Sequence, residues 1–131
     1  MTSENSLDQP ASLWNLIGTE PVDVDLVSTD QLLVRARSFP SGAVFANHFH
    51  TTCNEIFVGL MGNLTVGLSE SDRREIAPSV TLTCGRRQHH YLVKESDQVA
   101  TTAVIKSPNN PDDTTVVDWH PSKRNVSGHE A

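Results

Sequence analysis

Two pairs of histidines stand out among the residues of this chain that could do chemistry. The chain has six histidines, and four of them occur as His48 with His50 and as His89 with His90. Side chains two residues apart in a β-strand point to the same face, with their Cα atoms roughly 6.6 Å apart. Two imidazoles at that spacing can both approach one metal ion at about 2.1 Å. The first pair therefore indicates a metal site if it lies on a strand.

A carboxylate and a third imidazole complete the predicted site. Glu55 opens the next apolar run and offers a hard oxygen ligand, and His89 opens a later run and offers a third nitrogen. Three nitrogens and one oxygen suit Fe, Mn, Ni, Zn or Cu, and they leave coordination positions open for water or substrate. We predict one divalent transition metal ion bound by His48, His50, Glu55 and His89.

The segments that must position these ligands are typical of short β-strands. From Val22 onward, apolar or alternating runs rich in Val, Ile, Thr and Phe recur about every ten residues, with turn-forming residues between them. No segment after residue 20 keeps a helical period for three turns. This pattern predicts an all-β sandwich or barrel. The Leu60–Asn63 segment predicts a tight hairpin that pairs residues 55–60 with residues 64–68.

Around the first histidine pair the chain resembles the cupin superfamily. The first cupin motif, G(X)5HXH(X)3–4E(X)6G, matches GAVFANHFHTTCNEIFVGLMG at its five fixed positions, which are Gly42, His48, His50, Glu55 and Gly62. The resemblance implies a double-stranded β-helix barrel of the jelly-roll type, preceded by a short N-terminal segment. It also implies a metal ion inside the barrel, held by His48, His50 and Glu55.

The second cupin motif, G(X)5PXG(X)2H(X)3N, is degenerate in this chain. Aligned on Gly85, the segment TLTCGRRQHHYLV places Gln88 in the histidine position, and one inserted residue brings His89 there. The fourth ligand is therefore open between His89, which we favour, Gln88, and His90 after a local bulge. His89 and His90 cannot both point inward from a regular strand.

Two residues are candidates for proton transfer. Tyr91 shares the parity of His89, so it would face the cavity if His89 is a ligand and could act as an acid or a base. His120 ends the last predicted strand and could reach the cavity mouth. We name Tyr91 and His120 as candidate catalytic residues.

Three further residues are candidates for substrate binding. Arg35 and Arg37 alternate along one strand and could bind a carboxylate or a phosphate if their face points inward. A solvent-exposed face or a subunit contact is the simpler explanation of these two arginines. Phe57 shares the parity of Glu55 and would line the cavity.

Composition and charge exclude several classes of protein. The chain of 131 residues has 16 acidic and 10 basic residues and a formal net charge of −6, whereas nucleic-acid-binding domains normally carry a basic surface. Its apolar runs are too short for a transmembrane helix, its first ten residues lack the features of a secretory signal, and Cys53 and Cys84 make no disulfide framework. We predict a cytoplasmic protein without nucleic-acid or membrane partners.

The predicted organisation is one domain with polar ends. Residues 1–12 are expected to form a disordered leader, residues 13–120 a single barrel domain, and residues 121–131 a flexible tail. Phe49 has the opposite parity to the histidines, so it would lie on the outer face of the barrel. In one-domain cupins that face often packs against a second subunit, and the resemblance therefore suggests a homodimer.

Three functions fit these observations. The first is a metal-dependent enzyme that acts on a small polar metabolite, of the lyase, isomerase, cyclase or dioxygenase type. The second is an isomerase for a nucleotide sugar or another anionic metabolite, which Arg35 and Arg37 would bind. Sugar-nucleotide ketoisomerases of the cupin group resemble the HFHTTCNE spacing but have Gln where Glu55 stands. The third is a non-catalytic binding or sensor module.

Overall fold

A computed structural model of the chain describes residues 21–95 and 97–117. The predicted leader, the predicted tail and the candidate catalytic residue His120 lie outside the described residues, so those predictions stay predictions. The described residues contain no helix, and the search for a helix long and apolar enough to cross a membrane finds none among them.

Ten β-strands account for the regular structure of the described residues, and the predicted all-β class is confirmed. In chain order they are β1 (Asp23–Ser28), β2 (Leu33–Phe39), β3 (Val44–His50), β4 (Asn54–Met61), β5 (Leu64–Gly67), β6 (Arg73–Ile76), β7 (Thr81–Cys84), β8 (His90–Val93), β9 (Ala100–Ser107) and β10 (Thr114–Val116).

The strands form two antiparallel sheets of five strands each. The first sheet has the order β1-β2-β9-β4-β7 and the second has the order β10-β3-β8-β5-β6. A buried cluster that includes Phe39, Phe57, Leu64, Val66 and Ile76 draws its members from both sheets. Burying one such side chain contributes about 1.5–3 kcal/mol to folding, so this cluster holds the sheets face to face.

The predicted hairpin at Leu60–Asn63 is wrong. A tight turn is present, with Gly62 at a φ of 66°, but it leads from β4 in the first sheet to β5 in the second. β4 pairs with β7 and β9, and β5 pairs with β6 and β8. The turn was readable from the sequence, whereas the partners of β4 were not, because β7 and β9 are distant from β4 in the chain.

Three rows of cross-strand partners cross the inner face of the first sheet. Glu55 on β4 lies opposite Lys106 on β9, which lies opposite Leu33 on β2. The next rows are Phe57, Val104 and Arg35, and then Gly59, Thr102 and Arg37. Because cross-strand partners share a face, this register fixes which charged groups stand beside Glu55.

A β-bulge shifts the register of β3 against β8. Phe45 pairs with Leu92 and His48 pairs with His90, so two residues of β3 stand opposite one residue of β8. An extra residue changes the alternation of faces along a strand. Phe45 and His48, three positions apart, therefore both line the space between the sheets.

Candidate metal centre

Four side chains from three strands meet between the two sheets. They are His48 and His50 of β3, Glu55 of β4 and His90 of β8, and their ligand atoms all lie within 4.8 Å of one another. Three of them are almost fully buried, because the exposed fraction is 3% for His50, 6% for Glu55 and 1% for His90. The cluster therefore draws ligands from both sheets and is largely shielded from solvent.

Hydrogen bonds on the far side of each ring fix the orientation of the histidines. The Nδ1 atoms donate to three oxygens: Ala46 O at 2.7 Å from His48, Asp113 Oδ1 at 3.0 Å from His50, and Gln88 O at 3.1 Å from His90. Because these partners are acceptors, Nδ1 carries the hydrogen and Nε2 of each ring is the atom left for the cluster. Nε2 of His50 and of His90 also carries a hydrogen, which it donates to Glu55. A metal ion bound at Nε2 would take the place of that hydrogen and leave the tautomer that metal-binding histidines use.

Glu55 is the negative charge at the centre of the cluster. Its Oε1 accepts hydrogen bonds from His50 Nε2 at 3.0 Å and from His90 Nε2 at 2.9 Å. Burial alone would raise the pKa of Glu55, but the hydrogen bonds from the two histidines outweigh it and hold that pKa well below its usual range. Glu55 is therefore ionised and able to coordinate a cation.

The histidines of β3 have opposite pKa shifts. Burial, reinforced by the nearby charge of His90, lowers the pKa of His48 to about 4. Burial also acts to lower the pKa of His50, but the hydrogen bonds with Glu55 and Asp113 prevail and raise it. His48 is thus a neutral imidazole at physiological pH, which is the form that binds a metal ion.

Asp113 is a functional candidate whose place behind His50 the sequence did not indicate. Besides His50 Nδ1, its carboxylate accepts from Thr52 N at 3.1 Å, Thr52 Oγ1 at 2.9 Å and Cys53 N at 3.1 Å. Burial would raise its pKa, but these hydrogen bonds lower it to about 2. In the sequence it is one acid in a Pro- and Asn-rich loop, and only the pairing of β10 with β3 brings it to His50.

The structure corrects the position predicted for His89. His90 joins the cluster, whereas His89 lies exposed on the other face and stacks on Phe49 with ring centroids 5.0 Å apart. The tight turn before β8, in which Arg87 has a φ of 63°, makes His90 the first residue of the strand. His90 was one of the three alternatives for the fourth ligand, and the parity that it shares with the apolar Leu92 was the signal that favoured it.

Tyr91 is also displaced from its predicted place. It lies between His90 and Leu92, the two residues of β8 nearest to the cavity, and therefore points to the opposite face of the sheet. There its ring covers Gly67, at which any Cβ atom would overlap the ring. Tyr91 is thus a packing residue of the outer face and cannot exchange protons with a ligand in the cavity.

Comparison with proteins of known structure identifies the fold of the chain. No family model matches the chain, and no curated protein matches it. Solved structures do match. A Klebsiella pneumoniae protein with a double-stranded β-helix domain aligns at 13% identity and a TM-score of 0.65, covering 78% of this chain and 88% of that one. The chain has the double-stranded β-helix fold of the cupins.

Several of the matched structures are named as enzymes. The polyketide cyclase RemF from Streptomyces resistomycificus aligns with this chain at 17% identity and a TM-score of 0.65, covering 74% of this chain and 70% of the cyclase. The DMSP lyase DddQ from Ruegeria pomeroyi aligns at 16% identity and a TM-score of 0.63, covering 74% of this chain but only 51% of the lyase. At such identities the likeness establishes the fold alone.

A cavity of about 190 Å³ adjoins the histidine cluster. Its lining includes all three residues that the sequence predicted for substrate binding, which are Arg35, Arg37 and Phe57. It also includes Lys106, which sequence reasoning did not single out. The two arginines therefore lie on the inward face of β2, and the simpler explanation that they face solvent or a subunit is not needed.

The two arginines differ in their partners. Arg35 Nε donates to Asp25 Oδ1 at 2.7 Å and lies 3.7 Å from Asp23 Oδ1, and the hydrogen bond to Asp25 raises the pKa of Arg35. The Arg37 guanidinium instead lies 4.7 Å from the ring centroid of Phe45 and 5.6 Å from that of Phe39. The charge of Arg35 is thus balanced by Asp25 of β1, whereas Arg37 forms no ion pair with another described residue.

The cysteines are packing residues. Cys53 and Cys84 are both free and buried. Burial raises the pKa of each thiol to about 12, which keeps both thiols protonated and unreactive.

Proposed function

We propose that this cupin binds one divalent transition metal ion through His48, His50, Glu55 and His90, and that it is a metal-dependent enzyme acting on a small polar metabolite. The observation that carries the proposal is the set of three Nδ1 hydrogen bonds, which turns all three Nε2 atoms toward one buried carboxylate. A packed histidine pair in an ordinary core would not need every ring fixed in this way.

The donor atoms fit an ion of the predicted kind. Metal–nitrogen and metal–oxygen bonds of about 2.0–2.2 Å require ligand atoms roughly 3–4 Å apart, and the four ligand atoms lie within 4.8 Å of one another. Three imidazoles and one carboxylate suit Fe, Mn, Ni, Zn or Cu. When bound, such an ion acts as a Lewis acid that polarises an oxygen of the substrate.

The protein's own groups would prepare the cavity for that chemistry. Asp113 holds the ring of His50 in place through Nδ1. Phe39, Phe45 and Phe57 give the cavity apolar walls, and a less hydrated environment strengthens electrostatic interactions. Neither candidate for proton transfer serves this proposal, because Tyr91 lies on the outer face and His120 lies outside the described residues.

The type of reaction is proposed from the site and from the named neighbours. We favour non-redox chemistry of the lyase, isomerase or cyclase type, and a lyase and a cyclase among the matched structures support it. Dioxygenation is the alternative if the ion is redox-active. Since ligand pockets commonly measure about 300–1,000 Å³, a cavity of about 190 Å³ favours a compact metabolite over an entire nucleotide sugar.

Metal analysis of adjacent histidine variants tests the proposal. We expect the full chain, purified without a histidine tag, to carry close to one equivalent of metal, and we expect His90→Ala to lose it. His89→Ala removes the neighbouring, exposed imidazole and should keep it. A chain that stays metal-free after incubation with each candidate ion would refute the metal site, and equal loss in both variants would refute the assignment of His90.

Turnover separates an enzyme from a binding module. The loaded protein is incubated in D2O with small hydroxy and keto acids, and proton NMR follows exchange or loss of the hydrogens next to the carbonyl. We expect exchange that disappears in His90→Ala, together with no oxygen uptake. Oxygen uptake would favour dioxygenation, and the absence of turnover with any acid would favour the non-catalytic module.

A further inference from the structure

The cavity is lined mainly by positively charged side chains, although the chain as a whole has a negative net charge. The chain has a formal net charge of −6, yet Arg35, Arg37 and Lys106 line the cavity, and Glu55 is the one acidic residue among its lining residues. Walls of one charge concentrate the field inside a cleft and attract ligands of the opposite charge. The distribution therefore favours an anionic ligand in this cavity.

Two of the three cations form no ion pair within the part of the chain that the structure describes. Arg35 is paired with Asp25, but neither Arg37 nor Lys106 forms an ion pair with another described residue. Both side chains are half-buried. A charge that is partly removed from water is costly unless it is paired, so these two positions need a partner that the described residues do not supply.

The surroundings of Arg37 suit the acidic end of a ligand. Contact with Phe45 and Phe39 holds the guanidinium against the wall of the cavity. Thr102, the cross-strand partner of Arg37 on the same face, has a buried hydroxyl without a hydrogen-bond partner among residues 21–95 and 97–117. A guanidinium binds a carboxylate or a phosphate through two parallel hydrogen bonds. An acidic group bound to Arg37 would lie on the same face of the first sheet as the hydroxyl of Thr102.

Lys106 marks the other end of the cavity. It lies four residues from Thr102 along β9 and is the cross-strand partner of Glu55. Four strand residues span about 13 Å between Cα atoms, a distance that two long side chains shorten considerably. Arg37 and Lys106 thus place one positive charge at the aromatic end and one beside the histidine cluster.

We propose that the ligand of this cavity is a compact organic anion, whose acidic group is bound by Arg37 and whose polar end lies beside Lys106. The inference names the substrate class of the proposed enzyme and rests on that function only in using the same cavity. Arg35 is one of the two arginines that the sequence suggested for this role, but it forms an ion pair with Asp25 instead.

Binding of model anions tests the inference without a known substrate. The probes are malonate, its uncharged analogue malonamide, and inorganic phosphate, measured by calorimetry on the full chain at low salt. Each is measured with metal-free and with zinc-loaded protein, so that binding by Arg37 is separated from binding by an ion. We expect malonate to bind both forms and malonamide to bind neither. Phosphate bound in place of malonate would support the inference and indicate a phosphorylated substrate.

Variants identify the residues responsible. We expect Arg37→Gln to weaken malonate binding at least about tenfold, as the loss of a charged hydrogen-bond pair does, and Lys106→Gln to weaken it severalfold. Arg74→Gln is the matched control, because it makes the same change in charge at an exposed arginine paired with Asp72. Its binding should equal that of the wild type, and the melting temperature of each variant shows that it is folded.

The inference and the proposed function fail separately. Failure of malonate and phosphate to bind either form, or wild-type affinity in folded Arg37→Gln and Lys106→Gln, would overturn the inference even if the chain binds metal. Arg37-dependent malonate binding by a chain that takes up no metal would uphold it and refute the metal-dependent function.

Discussion

At the scale of single residues, the candidate site depends on what lies behind each ligand. The three Nδ1 partners are two backbone carbonyls and the Asp113 carboxylate. The carbonyls of Ala46 and Gln88 each lie two residues before the histidine that they hold, so they come with the local chain. Asp113 lies 63 residues from His50. It is therefore the one orienting group that substitution can remove.

Replacing Asp113 should weaken metal binding. Loss of a carboxylate behind a metal-bound histidine typically costs about 10–100-fold in affinity, and we expect a loss in that range for Asp113→Asn, measured by competition with a chelator. Asp112→Asn is the matched control, because Asp112 is the exposed neighbour in the same loop. Equal affinities in the two variants would mean that Asp113 holds the loop together and does not tune His50.

Removing the hydroxyl of Tyr91 should leave the cavity unchanged. Because Tyr91 lies on the outer face against Gly67, we expect Tyr91→Phe to keep the metal content and the malonate affinity of the wild type. A fall in turnover with an unchanged melting temperature would restore Tyr91 as a proton-transfer residue and contradict its placement.

At the scale of the strands, alternation of faces was predictable and strand beginnings were not. His48 and His50 share a face, and Glu55 shares one with Phe57, as a period of two requires. The rule failed at β8, because the length of the Gly85–His89 turn decides which histidine begins the strand, and sequence gives no measure of that length. It also could not relate Phe45 to His48, since a bulge that leaves no compositional mark separates them.

Close approach of the two sheets should make Gly59 intolerant of a side chain. A Cβ atom at Gly59 would overlap the backbone carbonyl of Ala77, which follows β6 of the other sheet. We expect Gly59→Ala to lower the free energy of unfolding by about 1–3 kcal/mol, measured by urea denaturation. At Gly85 the nearest atom to a new Cβ would be Asn54 Oδ1 at 3.8 Å, so Gly85→Ala should be close to neutral. Equal stabilities would show that the strands can separate at Gly59 without cost.

At the scale of the whole molecule, the candidate metal centre connects the two sheets. His48, His50 and His90 belong to the second sheet and Glu55 belongs to the first. The all-β class and three of the four cluster residues were predictable from one sequence motif. The positive cavity was not, since the partner that neutralises Arg35 and the register that brings Lys106 beside Glu55 depend on pairing between distant strands.

Metal binding should therefore stabilise the entire domain. A ligand present at 100 times its Kd adds about 2.7 kcal/mol to stability, which corresponds to a rise in melting temperature on the order of 10 °C for a chain of this size. We expect this rise on addition of the native ion, its reversal by a chelator, and no rise in His48→Ala. A rise of the same size in His48→Ala would place the stabilising ion elsewhere.

The bulge in β3 has a consequence for how this chain can change over evolution. The two residues between Phe45 and His48 act as a spacer that keeps an aromatic wall and a ligand on the same side of one strand. Substitutions at Ala46 and Asn47 leave that spacing intact, because Ala46 holds His48 through its backbone carbonyl. Deleting one of them would leave Phe45 and His48 two positions apart and still on one face, whereas deleting both would make them neighbours on opposite faces. This segment therefore tolerates substitution and the loss of one residue, but not the loss of both.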